Sequence, residues 1–326
     1  MSTIKLHHPA SQLALADVKR ASRHISSYAH RTPVLTCQSL DQMAGHQLFF
    51  KCENLQRAGA FKFRGAINAL SHLSAMELAR GVVTHSSGNH AGALALAAKI
   101  FKTRAYVVMP SSASDTKRNA VLEYGGEVIT SLPNAAAREA TARQVQSDTG
   151  AVMIPPFDHP HIIAGQGTVA LEMLQQVPHL EYIIAPVGGG GMVAGICIAA
   201  KAISPRIRVL AAEPAGADDA FQSFKANRFI PQTNPMTIAD GLLTSLGEIT
   251  WPIIQKNVQA IVTVTDEEII HWMRVFWERT KLLIEPSSAV AVAAVFSSNF
   301  PRTESPKNVG IVLSGGNVNL NSLPWN

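Results

Sequence analysis

The stretch "YIIAPVGGGGMVAG" (residues 182–195) joins an apolar, β-branched run to four consecutive glycines and then to a small, helix-forming segment. A strand that ends in glycines and re-enters as a helix is a unit of a parallel sheet covered by helices. The glycines let the backbone approach a ligand, and the helix start turns free N–H groups and a positive dipole end toward it. Gly188, Gly189, Gly190, Gly191 and Met192 are therefore read as an anion cradle, most plausibly for phosphate. A tight turn alone needs one or two glycines. The same residues admit a rival reading. Gly189, Gly191 and Ala194 fit G-x-G-x-x-A, and Glu213 ends the next strand about 20 residues on, as in a dinucleotide site.

The same alternation runs through the chain. Strands are expected at 47–52, 81–85, 104–109, 126–130, 182–187, 207–213, 260–264 and 308–314. Helices are expected at 65–78, 89–101, 115–124, 135–149, 166–177, 191–203, 266–281 and 286–297. Between 214 and 260, Pro, Asn and Thr accumulate and long loops are expected. This is an α/β chain with parallel-rich sheets flanked by helices. Residues 76–155 read as a small domain inserted into a large one made of 1–75 plus 156–326.

The 326 residues are 47% hydrophobic and 16% charged, ample for a packed core. The net charge is +5, scattered without a basic run, which argues against nucleic acid and for at most a mild attraction for small anions. Cys37, Cys52 and Cys197 are far apart, so no disulfide framework is expected. The first 20 residues hold no apolar run of signal-peptide length, and no segment reads as a membrane span. A protein of a reducing cytoplasm is expected, without membrane or nucleic-acid partners.

In open parallel sheets, ligands sit beyond the carboxyl ends of the strands. Three more strand ends draw notice. "HSSGNHAGA" (85–93) places Ser86, Ser87, Gly88, Asn89 and His90 before a helix, more small or polar residues than one cap requires. "VLSGGNVNL" (312–320) sets Ser314 before two glycines. "AFKFRGA" (60–66) puts Lys62 between Phe61 and Phe63. Lys62 reads as a snorkelling lysine, as a surface lysine on an amphipathic turn, or as an amine kept reactive by an apolar setting. The helix start, the apolar neighbours and Arg64 close by would all favour the neutral amine. A lysine, a phosphate cradle, an asparagine loop and a hydroxyl at a strand end together suit pyridoxal 5'-phosphate.

Eight stretches carry a resemblance over nearly the whole chain: "KCENLQRAGAFKFRGA", "SSGNHAGAL", "PPFDHPHIIAGQGTVALE", "PVGGGGMVAGI", "AAEPAGADD", "TIADGL", "LLIEPSSAV" and "VLSGGNV". The chain resembles the fold-type II pyridoxal-phosphate enzymes, and among them the serine racemase and serine/threonine dehydratase family. The dinucleotide reading explains none of the other seven stretches. The resemblance implies a two-domain fold, with Lys62 as the Schiff-base lysine and base on one face and Phe61 near the ring. It implies Asn89 at the cofactor's 3-hydroxyl, the glycine loop on the phosphate, and Ser314 at the pyridine nitrogen. A neutral hydroxyl there does not force protonation of that nitrogen, which favours prompt β-elimination over transamination.

Ser87 stands where threonine dehydratases of the family usually carry alanine and serine racemases carry serine as the acid/base of the opposite face. It implies a second proton donor; the alternative is a hydroxyl that only binds the substrate carboxylate. Ser86, Gly88, His90, Arg138 and Ser245 match the substrate end of the site, though Arg138 also suits a helix surface. Glu213, the carbonyl of Ala217 and Asp219 match the family's site for Mg²⁺, Ca²⁺ or Mn²⁺, against a solvated acidic loop.

Three departures stand out: Ala60, Ser288, and Arg57-Ala58 in place of a lysine-threonine pair, which argues against activation by ATP. No amino-acid-sensing tail is expected. The reading is a dehydratase and racemase of serine or a related 3-hydroxy amino acid, two outcomes of one shared carbanion, acting as a homodimer on a small molecule. Dehydration of threo-3-hydroxyaspartate, phenylserine or threonine is the alternative, β-replacement a further one, and a non-catalytic phosphate-binding regulator the remotest.

Overall fold

The computed structural model describes residues 13–113 and 115–325. Residues 1–12, part of the stretch read above as free of a signal-like run, lie outside the described residues. The strands are β1 (Val34–Leu35), β2 (Gln47–Cys52), β3 (Val82–His85), β4 (Ala105–Pro110), β5 (Glu127–Ser131), β6 (Val152–Met153), β7 (Tyr182–Pro186), β8 (Arg208–Pro214), β9 (Val258–Val264) and β10 (Asn308–Leu313). They form a six-stranded sheet in the order β1-β2-β10-β7-β8-β9 and a four-stranded sheet in the order β5-β4-β3-β6. Every pairing is parallel except that of the two-residue β1 with β2. The strands of the smaller sheet all fall between residues 82 and 153.

All eight expected strands are present within two residues of their expected ends. β1 and β6 are too short to show a periodicity. The helix expected over 65–78 is two, Lys62–Leu70 and Ala75–Arg80. The break comes from Ser74, whose hydroxyl accepts the Glu77 N–H while the Glu77 carboxylate accepts the Ser74 N–H. The helix expected from 166 begins at Pro160, a residue suited to a first turn because its missing N–H is not needed there. The loop-rich region from 214 to 260 also carries the helices Asp219–Ala226 and Thr250–Asn257. Among the described residues no helix is long and apolar enough to cross a membrane.

Strand β7 is buried at all five positions, the mark of a sheet covered on both faces. One face packs under helices Leu15–Ile25, Pro160–Gln176 and Gly191–Ile203. The other packs under Asp266–Thr280 and Pro286–Phe296. The last of these is apolar all round and buried at every residue from Ser287 to Val295.

Two glycine contacts fix the helices that carry the site. A Cβ on Gly165 would lie 2.7 Å from the Gly65 Cα, and one on Gly195 would lie 2.5 Å from the Gly167 nitrogen. Helices Lys62–Leu70 and Gly191–Ile203 therefore press backbone-to-backbone against the two sides of Pro160–Gln176. Lys62 and the oligoglycine turn are held relative to one another through this stack.

The structure corrects the expectation for Arg64. Its guanidinium does not face the Lys62 amine. It is fully buried and donates to Glu53 at 2.7 Å and to Glu172 at 2.7 Å, and Lys51 donates to Glu172 at 2.7 Å. Two cations and two carboxylates satisfy one another behind the helix, as buried charges must.

Candidate active site

A cavity of about 350 Å³ opens where β3, β7 and β10 end. It is bounded by the loops at 85–90, 186–192 and 240–244, by Phe61 and Lys62, and by Glu285 and Ser314. The strand-end turns singled out in the sequence thus converge on one space.

Lys62 is the first residue of its helix, and its Nζ donates to the Pro156 carbonyl at 2.8 Å. Burial pushes the amine down to about 8, against a partial upward pull from the Glu285 carboxylate. The cause is desolvation rather than a neighbouring cation. Phe61 is half-buried beside it, with Nζ 5.1 Å from its ring centroid. The Phe61 N–H donates to the Ser314 carbonyl at 3.0 Å, and Ala60 bridges Gly315, so β10 and the lysine helix meet at the cavity. Ser314 is buried, and its hydroxyl has no hydrogen bond to another described residue.

The glycine loop fits a group larger than a turn needs. Gly190, at φ +84°, caps the helix Gly191–Ile203 without a side-chain partner, so the first N–H groups are free to meet a ligand. A Cβ on Gly189 would fall 2.2 Å from the Phe157 ring, and one on Gly188 3.0 Å from Leu242. The Gly189 carbonyl accepts from Thr250 Oγ1 at 2.8 Å. Asp158 in turn accepts the N–H groups of Glu248, Ile249 and Thr250. Phe157 and Asp158 therefore support the cradle, a role the quoted "PPFDHP" did not reveal because Gly189 lies 32 residues from Phe157 and the Asp158 partners 90 to 92 residues away.

A further part of the wall comes from the end of β3 and the helix Ala135–Thr149. Ser86 Oγ accepts the Gly88 N–H at 3.4 Å, while the Ser87 hydroxyl bonds to no other described residue. Gly88 caps the helix Asn89–Ile100. His90 is buried, donates from Nε2 to the Ile154 carbonyl at 3.1 Å, and is pushed down to about 3 by burial and by Lys62, which leaves it neutral. Arg138 reaches the cavity with a buried Nε that has no partner. A buried, unmet guanidinium N–H is a place for an acceptor such as a carboxylate.

Asn89 donates from Nδ2 to Glu285 at 2.7 Å and accepts at Oδ1 from Asn317 at 2.9 Å. These bonds fix its amide and leave the second Nδ2 hydrogen for a ligand. Glu285 was not among the expected site residues. It is buried, borders the cavity, and is pushed up to about 8 by burial and by Asp240. Asp240 also lines the cavity and pairs with Lys117, on the helix Asp115–Glu123 between β4 and β5 of the smaller sheet. A carboxylate beside a proline in "IEPSS" gave no local signal of either role.

Two expected groups lie outside this cavity. Ser245 does not line it; its hydroxyl accepts the Gln232 N–H at 2.8 Å, and Leu243 and Thr244 take the place at the rim. Glu213, Ala217 and Asp219 sit beyond the end of β8. The Glu213 carboxylate accepts the N–H groups of Ala220 and Phe221, so it caps the helix Asp219–Ala226 rather than facing the glycine loop, which removes the dinucleotide reading. Burial, then repulsion from Asp219, pushes it up to about 9. Asp219 accepts the Leu246 N–H at 3.1 Å and is pushed up to about 6, chiefly by burial. No cluster of three or more metal-ligating side chains occurs among the described residues. Two buried carboxylates near a buried turn at Ala217 remain a donor set of the hard kind that Mg²⁺ or Ca²⁺ takes, with carbonyl and water oxygens to complete it.

The chain was compared with known proteins. The family described as "Pyridoxal-phosphate dependent enzyme" matches residues 25–315. A serine racemase of Arabidopsis thaliana is 51% identical over 314 residues, 95% of this chain and 94% of that protein. A beta-hydroxyaspartate dehydratase of Paracoccus denitrificans is 44% identical over 95% of this chain and 98% of that protein. The structure of maize serine racemase superposes with a TM-score of 0.93 at 45% identity, covering 96% of this chain and 95% of that one.

Proposed function

This chain belongs to the pyridoxal-phosphate dependent enzymes, and on that premise we propose that it racemises and dehydrates serine or a related 3-hydroxy amino acid. The observation that carries the reading is the meeting, in one cavity, of the Lys62 amine, the oligoglycine cradle and the free Ser87 hydroxyl. The cradle fits the cofactor's phosphate, because its glycines leave no room for a side chain and its helix start is uncapped. When bound, pyridoxal phosphate supplies an aldehyde that joins amines and a ring that takes up the electron pair left by a departing α-proton.

The protein's residues do the rest. Lys62 holds and moves a proton at Nζ, which an amine near pH 8 does readily. The Pro156 carbonyl orients that amine. Asn89 presents its remaining amide hydrogen, and Ser314 offers a neutral hydroxyl at the far edge. Arg138 takes the substrate carboxylate on its unmet Nε. Ser87 holds a proton on the wall opposite Lys62. The Lys117–Asp240 pair joins the smaller unit to the rim and helps exclude water when the large unit, 1–75 plus 156–326, and the small unit, 76–155, close on a substrate. Assembly as a homodimer and residence in the cytoplasm are parts of the reading that rest on the sequence.

The test is an assay of the purified protein on L- and D-serine, L-threonine, phenylserine and both threo-3-hydroxyaspartates, with chiral analysis of the recovered amino acid. L-Serine is expected to give both D-serine and a 2-oxo acid. Turnover of hydroxyaspartate alone selects the second reading, which the Paracoccus relative and the free Arg138 support. Turnover of none of them ends both.

A divalent cation at Glu213, Ala217 and Asp219 is the remaining part. Folding raises both carboxyls above their ordinary values, to about 9 and about 6. Stability from such groups is full at low pH and is lost as pH rises toward the folded values. In chelator, the melting temperature should therefore fall between about pH 5 and pH 9, and Mg²⁺ should recover several degrees by pairing with the charges. Glu213→Gln should flatten most of the slope. Part of it remains with Glu285, whose carboxyl is also raised, to about 8. An identical slope with and without Mg²⁺ removes the cation.

A further inference from the structure

A second cavity, of about 380 Å³, lies at the opposite end of the larger sheet, where β10, β7 and β8 begin side by side. Arg206, Arg208, Lys307 and Glu181 line it. Glu181 is already engaged: Oε1 pairs with Lys307 at 3.1 Å, and Oε2 accepts the Asn308 N–H at 3.1 Å. These contacts hold its carboxyl below the ordinary range. Arg208 lies over the Tyr182 ring, 5.4 Å from its centroid, and donates to the Tyr182 hydroxyl, a neutral partner. Arg206 has no ion pair or side-chain hydrogen bond among the described residues. One acid therefore faces three cations: Glu181 is shared between Lys307 and Arg208, Arg206 has no acidic partner among the described residues, and both arginines are exposed along the recess.

Register sets the spacing of the charges. Tyr182 pairs with Arg208 across β7 and β8, and with Val309 across β7 and β10. Lys307 precedes β10, so it stands two strand spacings, roughly 10 Å, from the arginines. The cavity is far larger than one phosphate requires. Guanidinium forks bind phosphoryl and carboxylate oxygens in pairs. We propose that this recess binds a small bis-anion, a molecule carrying two phosphoryl or carboxylate groups several ångströms apart, with one group on Arg206 and Arg208 and the other reaching Lys307. The site is separate from the glycine cradle, since β7 runs five residues, roughly 17 Å, from one to the other. It does not depend on the function proposed above.

The test is calorimetric titration of the cofactor-loaded enzyme, so that the cradle is filled, at low salt in chelator. Fructose 1,6-bisphosphate is the probe and inorganic phosphate the comparison. One bisphosphate per chain is expected to bind, at least about tenfold more tightly than phosphate, and more weakly as salt is added. Arg206→Glu should weaken it by about tenfold or more, and Glu181→Gln should strengthen it, with catalytic turnover unchanged in both. The proposal is overturned if the bisphosphate does not bind, if the two probes bind equally, if Arg206→Glu leaves binding unchanged, or if the probe displaces the cofactor's visible absorbance and so occupies the cradle.

Discussion

Lys62→Ala should abolish both reactions. The variant is expected to fold, to show no cofactor mass fixed to the chain after borohydride treatment, and to turn over L-serine at least about 10³-fold more slowly than the parent, the scale of a lost general base. The argument rests on position and on charge. The amine is held in the cavity by the Pro156 carbonyl, and burial brings it down to about 8, so a useful fraction is unprotonated near neutral pH. Among the described residues no other lysine lines that cavity. Arg138 does, but a guanidinium does not give up its proton at such pH. Folding should be preserved, because Lys62 makes one hydrogen bond to a carbonyl at the cavity wall, while the charges that hold its helix lie behind it at Arg64, Glu53 and Glu172. Intact mass after hydride trapping and a circular-dichroism melt separate the two effects. Retained turnover, or cofactor mass still fixed to the variant chain, removes Lys62 from the role.

Much of this arrangement was visible in the sequence because its signals are local. A strand, a run of glycines and a helix start are contiguous in "PVGGGGMVAG", and the strand-end rule then brings the loops after β3, β7 and β10 together. The sequence points to the lowered amine of Lys62 through its apolar neighbours, and burial is indeed the cause, but it points to Arg64 as well, and there it misleads. Arg64 is two residues away along the chain, yet the helix turns it to the far side, where Glu53 and Glu172 neutralise it. What stayed hidden depends on partners distant in sequence. Phe157 matters because Gly189 packs on its ring, and Glu285 because Asn89, 196 residues away, donates to it. Neither pairing leaves a periodicity or a cap to read. Ser245 went the other way: one hydroxyl beside the correct loop turns instead to the Gln232 N–H. The helix boundaries at Ser74 and Pro160 were legible in principle, through a capping box and a first-turn proline.

Ser87→Ala should divide the two activities that Lys62→Ala removes together. Racemisation inverts one carbon, so a proton must leave from one side and return from the other. Lys62 supplies one side, on the helix beside β10. Ser87 follows β3, a strand of the smaller sheet, and lines the same cavity as Lys62, and its hydroxyl has no competing bond to a described residue. His85, next to this loop, is pushed down by burial first and then by the Arg138 guanidinium, which lines the same cavity as Ser87. Elimination from the L-isomer needs the Lys62 side alone and is expected to fall less than about tenfold. Racemisation, and elimination from D-serine, are expected to fall by at least about 100-fold, the lower range for a lost acid or base. A Ser87 that only holds the substrate carboxylate predicts a different result: both activities would decline together with a raised KM for L-serine. The ratio of D-serine to 2-oxo acid formed from L-serine therefore decides the matter, and an unchanged ratio in the variant takes the second proton away from Ser87.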